Sequence, residues 1–555
     1  MSLLPTRILA IDLFPGIWSH TLLTNKTLQA LNLENVVIDY LTCGSAFTTH
    51  CTVKESKKRA IGPSNPYAKL DCADCEFSGF LSSRHLKNKG VNVGSTPKLS
   101  DFVDFEILGE ERAVLEECIE PIQLEYHLHG TPVVKFALFE TVIKYKKLDL
   151  RLSGAEGVYF RSTLENVIRT TLVARRFLAL NRPDFAICHT PEYGANNAFV
   201  DQCMQAGIKT FAITNSSNLS EMTTSVVLWD YETTPGLTPG LRSWSGVHNF
   251  KEEQDDRSRL DKHFRQIALA NSPFVYSEKA KKRPPDQIRL ALNLPAGSKI
   301  IVLALSSTDE VVASKLIGRN RATNYPGKVF KDQFEWVAMT LEKFKEREDV
   351  VIVVRLHPRD LPNKREKIKS EQFDRWQGLL SNLPRNVRVN LPEQKIAFGD
   401  LCQVTDVLVT GWSSVALEAM MLGIPAVTYD RNLPGYPDDV HFSGESRKQY
   451  FSNIELALQQ KISPDETRNR ARNWLAHYLN HGSILLSGRL FEKLRMGRSR
   501  TIRIFFSALD RYLFWIWRVI EIKLTPPGPK DSGARIRSVL LGELGTSYTK
   551  ATKAD

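Results

Sequence analysis

No stretch of this 555-residue chain approaches the roughly 18 uncharged apolar residues that a helix needs to cross a bilayer. No secretory leader is visible either: the early apolar run from Ile8 is broken by Asp12 and Pro15, without a basic start or a small-residue cleavage site. Both absences predict a cytoplasmic location, where the eight cysteines stay reduced instead of pairing. Nor does the basic charge line a recognisable nucleic-acid motif, which argues against DNA or RNA as the partner.

What is present is ordinary for a soluble globular chain, with 42% hydrophobic and 25% charged residues. The length exceeds what one core holds, so two folded domains and an appendage are expected. An excess of Lys and Arg gives a net charge of +12, which points to an anionic partner such as a nucleotide or a membrane surface.

The most informative stretch runs from Asp406 to Asp430. Val407 to Val409 is a short apolar run, Thr410-Gly411 breaks it, an alanine- and methionine-rich helix ends at Gly423, and Ala426 to Thr428 is apolar again. This is strand, turn, helix, strand, the unit of a parallel sheet whose ligands bind beyond the carboxyl ends of its strands. The turn sets Ser413 and Ser414 at the helix start, where hydroxyls and unpaired backbone N–H groups favour an anion; an ordinary N-cap is the plainer reading. Glu418 is the only charge between Val415 and Leu422 and completes no capping box with either serine. Its carboxylate needs solvent, a partner or a ligand, and ribose hydroxyls suit it.

Two more strands feed the same crevice. Lys299 to Leu305 ends in Ser306-Ser307-Thr308, which places the Ser307 and Thr308 hydroxyls on the ligand side. Asp349 to Val354 is followed at once by Arg355, His357, Pro358 and Arg359. Such a cluster suits a pyrophosphate, and His357 can neutralise or protonate a departing phosphate oxygen. This half of the chain has no Asp-x-Asp, so the scheme requires no catalytic metal.

In the first half, Arg7 to Phe14 and Val36 to Thr42 read as strands, and Gly109 to Asn181 as two long helices. Asp184 to Ile213 is a βαβ unit whose loop presents His189, Glu192 and Tyr193 on the ligand side. His189 or Glu192 can serve as general base on a hydroxyl, with Asp12 and His20 as secondary candidates; all are also compatible with plain polar loops. Cys43, Cys51, Cys72 and Cys75, spaced C-x7-C-x20-C-x2-C, can hold a structural zinc or can line a folded-back loop as reduced thiols.

The ordered set Arg355-Leu-His-Pro358, Val409-Thr-Gly-Trp-Ser-Ser414, Glu418-Ala and Gly423-Ile-Pro425 resembles the carboxyl-terminal domain of GT-B glycosyltransferases of bacterial capsule and surface-polysaccharide assembly. Bacterial sialyltransferases, capsular Kdo transferases and the glycerophosphotransferases of teichoic acid synthesis are similar in pairing a His-Pro element with a serine element. The resemblance implies phosphate contacts for His357, Ser413 and Ser414 and ribose binding for Glu418. It fits an α/β fold of two Rossmann-like parallel-sheet domains facing a cleft. A nucleotide-sugar donor would sit in the second and a glycan or lipid-linked glycan acceptor in the first. A glycerophosphotransferase, a sugar-nucleotide epimerase and a non-catalytic polysaccharide assembly protein are the alternatives.

Between Gly488 and Lys523 stand nine Lys or Arg and three acids, half of the net charge. Ile504, Phe505, Leu509, Leu513, Trp515, Ile516, Trp517 and Ile520 flank a charged face, which suits either the interface of an anionic membrane or packing back onto the catalytic domains. The expected domains are 1–280, 296–480, a basic helical extension 481–524 and a disordered tail 525–555.

Overall fold

The computed structural model describes residues 6–31, 35–56, 68–119, 121–233, 244, 253–270, 275–276, 278–318, 327–363, 367–431, 433, 435–459, 463–487, 513–526, 528–529 and 531–540. Eleven strands form two sheets among them. The first holds β1 (Thr6–Asp12), β2 (Val36–Thr42), β3 (Phe185–His189), β4 (Lys209–Asn215), β5 (Ser225–Asp230) and β11 (Ile484–Leu485), in the order β11-β5-β4-β3-β1-β2. Its centre is parallel, while β5 runs antiparallel to both β4 and β11. The second holds β6 (Lys299–Ala304), β7 (Val350–Arg355), β8 (Val387–Asn390), β9 (Val407–Thr410) and β10 (Ala426–Thr428), all parallel, in the order β10-β9-β6-β7-β8.

Between these strands run α1 (Trp18–Leu31), α2 (Thr52–Ser56), α3 (Ala68–Asn88), α4 (Phe105–Ile119), α5 (Val133–Tyr145), α6 (Gly154–Leu180), α7 (Gly194–Gln205), α8 (Gln254–Leu269), α9 (Pro285–Ala291), α10 (Thr308–Leu316), α11 (Gln333–Phe344), α12 (Glu371–Leu379), α13 (Phe398–Leu401), α14 (Val415–Met421), α15 (Arg447–Leu458), α16 (Pro464–Leu475), α17 (Phe514–Leu524) and α18 (Ser532–Leu540). Helices cover both faces of each sheet, which is why runs such as Ile8-Leu-Ala-Ile11 and Val350-Val-Ile-Val-Val354 are apolar at every position rather than at alternate ones. The fold is α/β with two Rossmann-like lobes. In each, strand order reverses beside the first strand, between β1 and β3 and between β6 and β9, and the crevice beyond those strand ends is where such sheets bind ligands.

The expected boundaries shift in three places. The stretch read as two long helices is three, because Pro121, Gly130 and Pro132 interrupt it. α8 lies within the expected first domain, yet Leu260 is buried with Trp474 and Leu475 in the second lobe's core, while Arg259 grips Glu221 of the first lobe at 2.7 Å. The tail after residue 524 includes α18, which corrects the reading of 525–555 as disordered. Ile536, Val539 and Leu540, at helical spacing, are buried against Leu23, Leu28 and Leu31 of α1. Residues 488–512 and 541–555 lie outside the described residues. Among the described residues no helix is long and apolar enough to cross a membrane.

Candidate functional site

In the second lobe, β7 ends in Arg355 and delivers His357 to the crevice two residues later. A tight turn fixes the imidazole: the His357 N–H donates to Asp360 Oδ2 at 3.1 Å, and the Arg359 N–H donates to His357 Nδ1 at 3.3 Å. With Nδ1 accepting, the ring proton sits on Nε2. Burial lowers the His357 pKa to about 4, so at neutral pH the ring is uncharged and offers an N–H rather than a spare proton. A neutral ring in this tautomer can donate a hydrogen bond from Nε2 to an anion.

Arg355 is held by the Asn390 side chain and, at 3.2 Å, by the Ile396 carbonyl. Glu418, partly buried on α14, is pushed up to about 7 by burial, and the Arg355 charge works against that rise. Ser414 is exposed and Ser413 half-buried at the start of α14. That helix has only seven residues, so the hydroxyls and Arg355 carry more of any anion binding than its dipole does. Ser307 and Thr308 are turned inward. Ser307 donates to Asp309 at 2.5 Å, and Thr308 receives a bond from Gln333 at 2.8 Å. Arg359 is likewise buried, gripping Asp309 at 2.6 Å and Glu310 at 2.5 Å instead of facing a ligand.

The first lobe places His189 at the end of β3, stacked on His20 of α1 with ring centroids 4.0 Å apart and planes 18° apart. Thr190 Oγ1 lies 2.6 Å from His189 Nδ1, while among the described residues Nε2 is buried without a hydrogen-bond partner. Thr190 has φ +52°, a left-handed conformation that a β-branched residue adopts only under strain. Asn196 holds the bend by donating to the His189 and Thr190 carbonyls at 3.2 and 3.3 Å. Strain of this kind collects at working sites. Burial lowers His189 well below the usual histidine range and His20 to about 4. Asp12, beside them at the end of β1, accepts from Tyr40 at 2.6 Å and is raised to about 6 by burial. Glu192 is half-buried and Tyr193 packs edge-on against Phe139.

One helix ties the two histidine turns together. On α5, Glu140 accepts from the Gly194 N–H at 2.8 Å and so holds the loop that follows His189. Three residues on, the Ile143 carbonyl accepts from Arg359 at 3.2 Å. The Lys146 ammonium, fully buried, then donates to the Arg359 and Ile368 carbonyls, both at 2.6 Å. Phe139 and Val142 pack on Ala313 of α10 along the same seam. At about 1.5 Å per residue, Glu140 and Ile143 lie roughly 4.5 Å apart along the helix, and Lys146 caps its end.

Residues 274–454 match the family described as CDP-Glycerol:Poly(glycerophosphate) glycerophosphotransferase, a segment that contains the whole second sheet with His357, Ser413, Ser414 and Glu418. Among solved structures, the chain is similar to a Thermosulfurimonas dismutans KpsC β-Kdo 2,4 transferase, at 12% identity over 52% of this chain and 79% of that one, with a TM-score of 0.31. A β-Kdo 2,7 transferase KpsC of the same organism gives 12% identity over 65% and 91%, TM-score 0.32. A putative UDP-N-acetylglucosamine 2-epimerase from Listeria monocytogenes gives 10% over 84% and 91%, TM-score 0.27. Likenesses this distant decide nothing about chemistry, and the fold stands on the two sheets themselves. No curated relative matches the chain.

The expected zinc ligands come from two segments that lie beside one another. Cys43 and Cys51 turn into the first lobe's core, where burial pushes the Cys43 thiol up to about 12, while Cys72 and Cys75 lie one turn apart on α3. They are neighbours by charge, since Cys51 and Cys72 both raise Cys43, yet among the described residues no three His, Cys, Asp or Glu could hold a metal ion. The residue that sequence reasoning passed over is Lys146. Its contacts are more than 200 positions away, and only a lysine between apolar helix and loop hinted at it.

Proposed function

We propose that the chain transfers a sugar from a nucleotide-sugar donor to a hydroxyl of a surface-glycan acceptor. The carrying observation is α5, which holds the His189 loop of one lobe and the His357 turn of the other on a single rigid element. A donor phosphate at His357 Nε2–H and Arg355 would receive neutral and charged hydrogen bonds as negative charge develops on the leaving oxygen. Glu418 suits the ribose. An acceptor hydroxyl at the His20–His189 stack meets rings that are uncharged at neutral pH, so that a ring nitrogen lone pair can accept its hydrogen bond as the oxygen attacks. The hydroxyl oxygen attacks the anomeric carbon, the bond from carbon to phosphate oxygen breaks, and the nucleotide leaves.

The match over 274–454 favours a second reading, transfer of glycerol phosphate from CDP-glycerol. There the same acceptor hydroxyl attacks phosphorus and CMP leaves. The two readings share both histidine sites and differ in the atom attacked. A thermal-shift screen against UDP-, GDP- and CMP-sugars and CDP-glycerol, followed by nucleotide release with glycan acceptors, separates them. A ligand at about a hundred times its Kd stabilises by roughly 2.7 kcal/mol. A response to one nucleotide sugar supports sugar transfer, a response to CDP-glycerol alone supports the second reading, and no response to any overturns both.

A further inference from the structure

α17 is largely apolar on both faces. The face packed on α3 and α1 holds Phe514, Trp517 and Ile522 and encloses Arg518 and Glu521 among them. Arg518 pairs with Asp74, donates to the Gly16 carbonyl at 3.3 Å, and lies between the rings of Trp18 and Phe514, while Glu521 accepts from Trp18 Nε1 at 2.9 Å. The opposite face shows solvent Leu513 at 40% exposure, Trp515 at 50%, Ile516 at 46%, Ile520 at 39% and Leu524 at 60%. A helix on a water-facing surface turns polar residues outward. An apolar outer face suits surroundings that are themselves apolar.

The patch continues onto α3. Phe77 touches Phe514 at 6.1 Å between centroids, and one turn on, Phe80 is exposed with Arg84 above its ring at 5.8 Å. Around this apolar centre stand the exposed Arg84, Lys87, Lys89 and Lys523. Lys89 and Lys523 lie near enough to His85 to add to the lowering of its pKa to about 4, which burial dominates. The 25 residues leading to Leu513, 488–512, carry seven Lys or Arg against two acids.

We propose that the outer face of α17, with Phe80, docks on the interface of an anionic lipid bilayer. The apolar side chains enter the acyl boundary and the basic rim meets lipid headgroups. The buried Arg518–Asp74 pair anchors the helix to the first lobe, so the membrane holds the enzyme through the lobe that would take a lipid-linked acceptor. The basic side chains around this apolar centre outnumber the one exposed acid beside Phe80 on α3, Glu76, which complements anionic headgroups.

Flotation of the full chain with mixed phosphatidylcholine–phosphatidylglycerol vesicles, and with phosphatidylcholine alone, tests this. The chain is expected to float with the mixed vesicles, to float poorly with the neutral ones, and to release as salt rises. The triple variant Trp515→Ser, Ile516→Ser, Ile520→Ser should lower the bound fraction by about 10-fold or more with an unchanged melting temperature. In the unaltered chain, lipids brominated near the headgroup should quench part of the tryptophan fluorescence, and Trp515→Phe should remove that part. Three results overturn the proposal: no binding to anionic vesicles, equal binding by the triple variant, or a dimer that the triple variant converts to monomer. The last would assign the face to a second copy.

Discussion

The two lobes hold their histidines differently. In the second, His357 has its Nδ1 occupied by the Arg359 N–H, and Arg355 is fastened to Asn390 and the Ile396 carbonyl. In the first, His189 keeps one ring nitrogen buried without a partner among the described residues and leans on a second imidazole. A group that receives a fixed anion gains from rigidity, because its orientation is settled before charge develops. A group that takes a proton must keep a lone pair vacant. On the proposed function, the second lobe would stabilise the leaving group and the first would take the proton.

Breaking the first-lobe side should cost most. His20→Ala combined with His189→Ala is expected to lower kcat on the order of 10³-fold, the scale of a lost general base. In the unaltered enzyme the acid limb of kcat/KM should fall below about pH 5, because His20 stays unprotonated down to about 4. A limb near 6.5 would remove the stack from that role. His357→Ala should lower kcat by roughly 10²- to 10³-fold with little change in melting temperature. Parallel losses in both would make that histidine structural.

Lys146→Met probes what joins the lobes. It leaves the buried Arg359 carbonyl without its donor, at roughly 1–3 kcal/mol, frees the half-buried Ile368 carbonyl, and lets the His357 turn drift, for which a loss of kcat/KM on the order of 10²-fold is expected. Lys147→Met is the control, since Lys147 pairs with Glu371 and does not touch the turn. If both variants lose melting temperature alike but only Lys146→Met loses turnover, positioning is separated from stability.

The smallest effect concerns Glu418. Its carboxyl is raised from 4.5 to about 7 in the folded chain, so between those values the native state holds a proton that the unfolded state has released. That contribution to stability is whole below about pH 4.5 and is lost as pH rises through 7. The melting temperature should therefore fall between about pH 4.5 and pH 7, and Glu418→Gln should flatten part of the fall. An identical slope in the variant would move the linkage to Asp360, also raised to about 7.

The second lobe was legible in the sequence because its strands are unbroken apolar runs and its motifs are contiguous. What escaped was contact between distant segments. His20 and His189 are 169 positions apart, and Lys146 reaches Arg359 from another lobe. Ser307 and Thr308 misled because a strand end was read without its neighbours. Gln333 and Gln372, fully enclosed amides on otherwise amphipathic helices, claim the Thr308 groups, and Asp309 claims the Ser307 hydroxyl. β11, two residues long, has no periodicity to read, and α18 was hidden by the polar residues around its three apolar ones.

β11 and α18 also set a timetable for synthesis. The first lobe emerges from the ribosome first, but β5 waits for Ile484 and Leu485 to pair with it, and the outer side of α1 waits for Ile536, Val539 and Leu540. At roughly 5–20 residues per second, the interval from β5 to β11 is on the order of 10–50 s. During that time a sheet edge and a leucine-bearing helix stand open to chaperones, and the whole second lobe can fold before they close. The lobe made first is the lobe finished last.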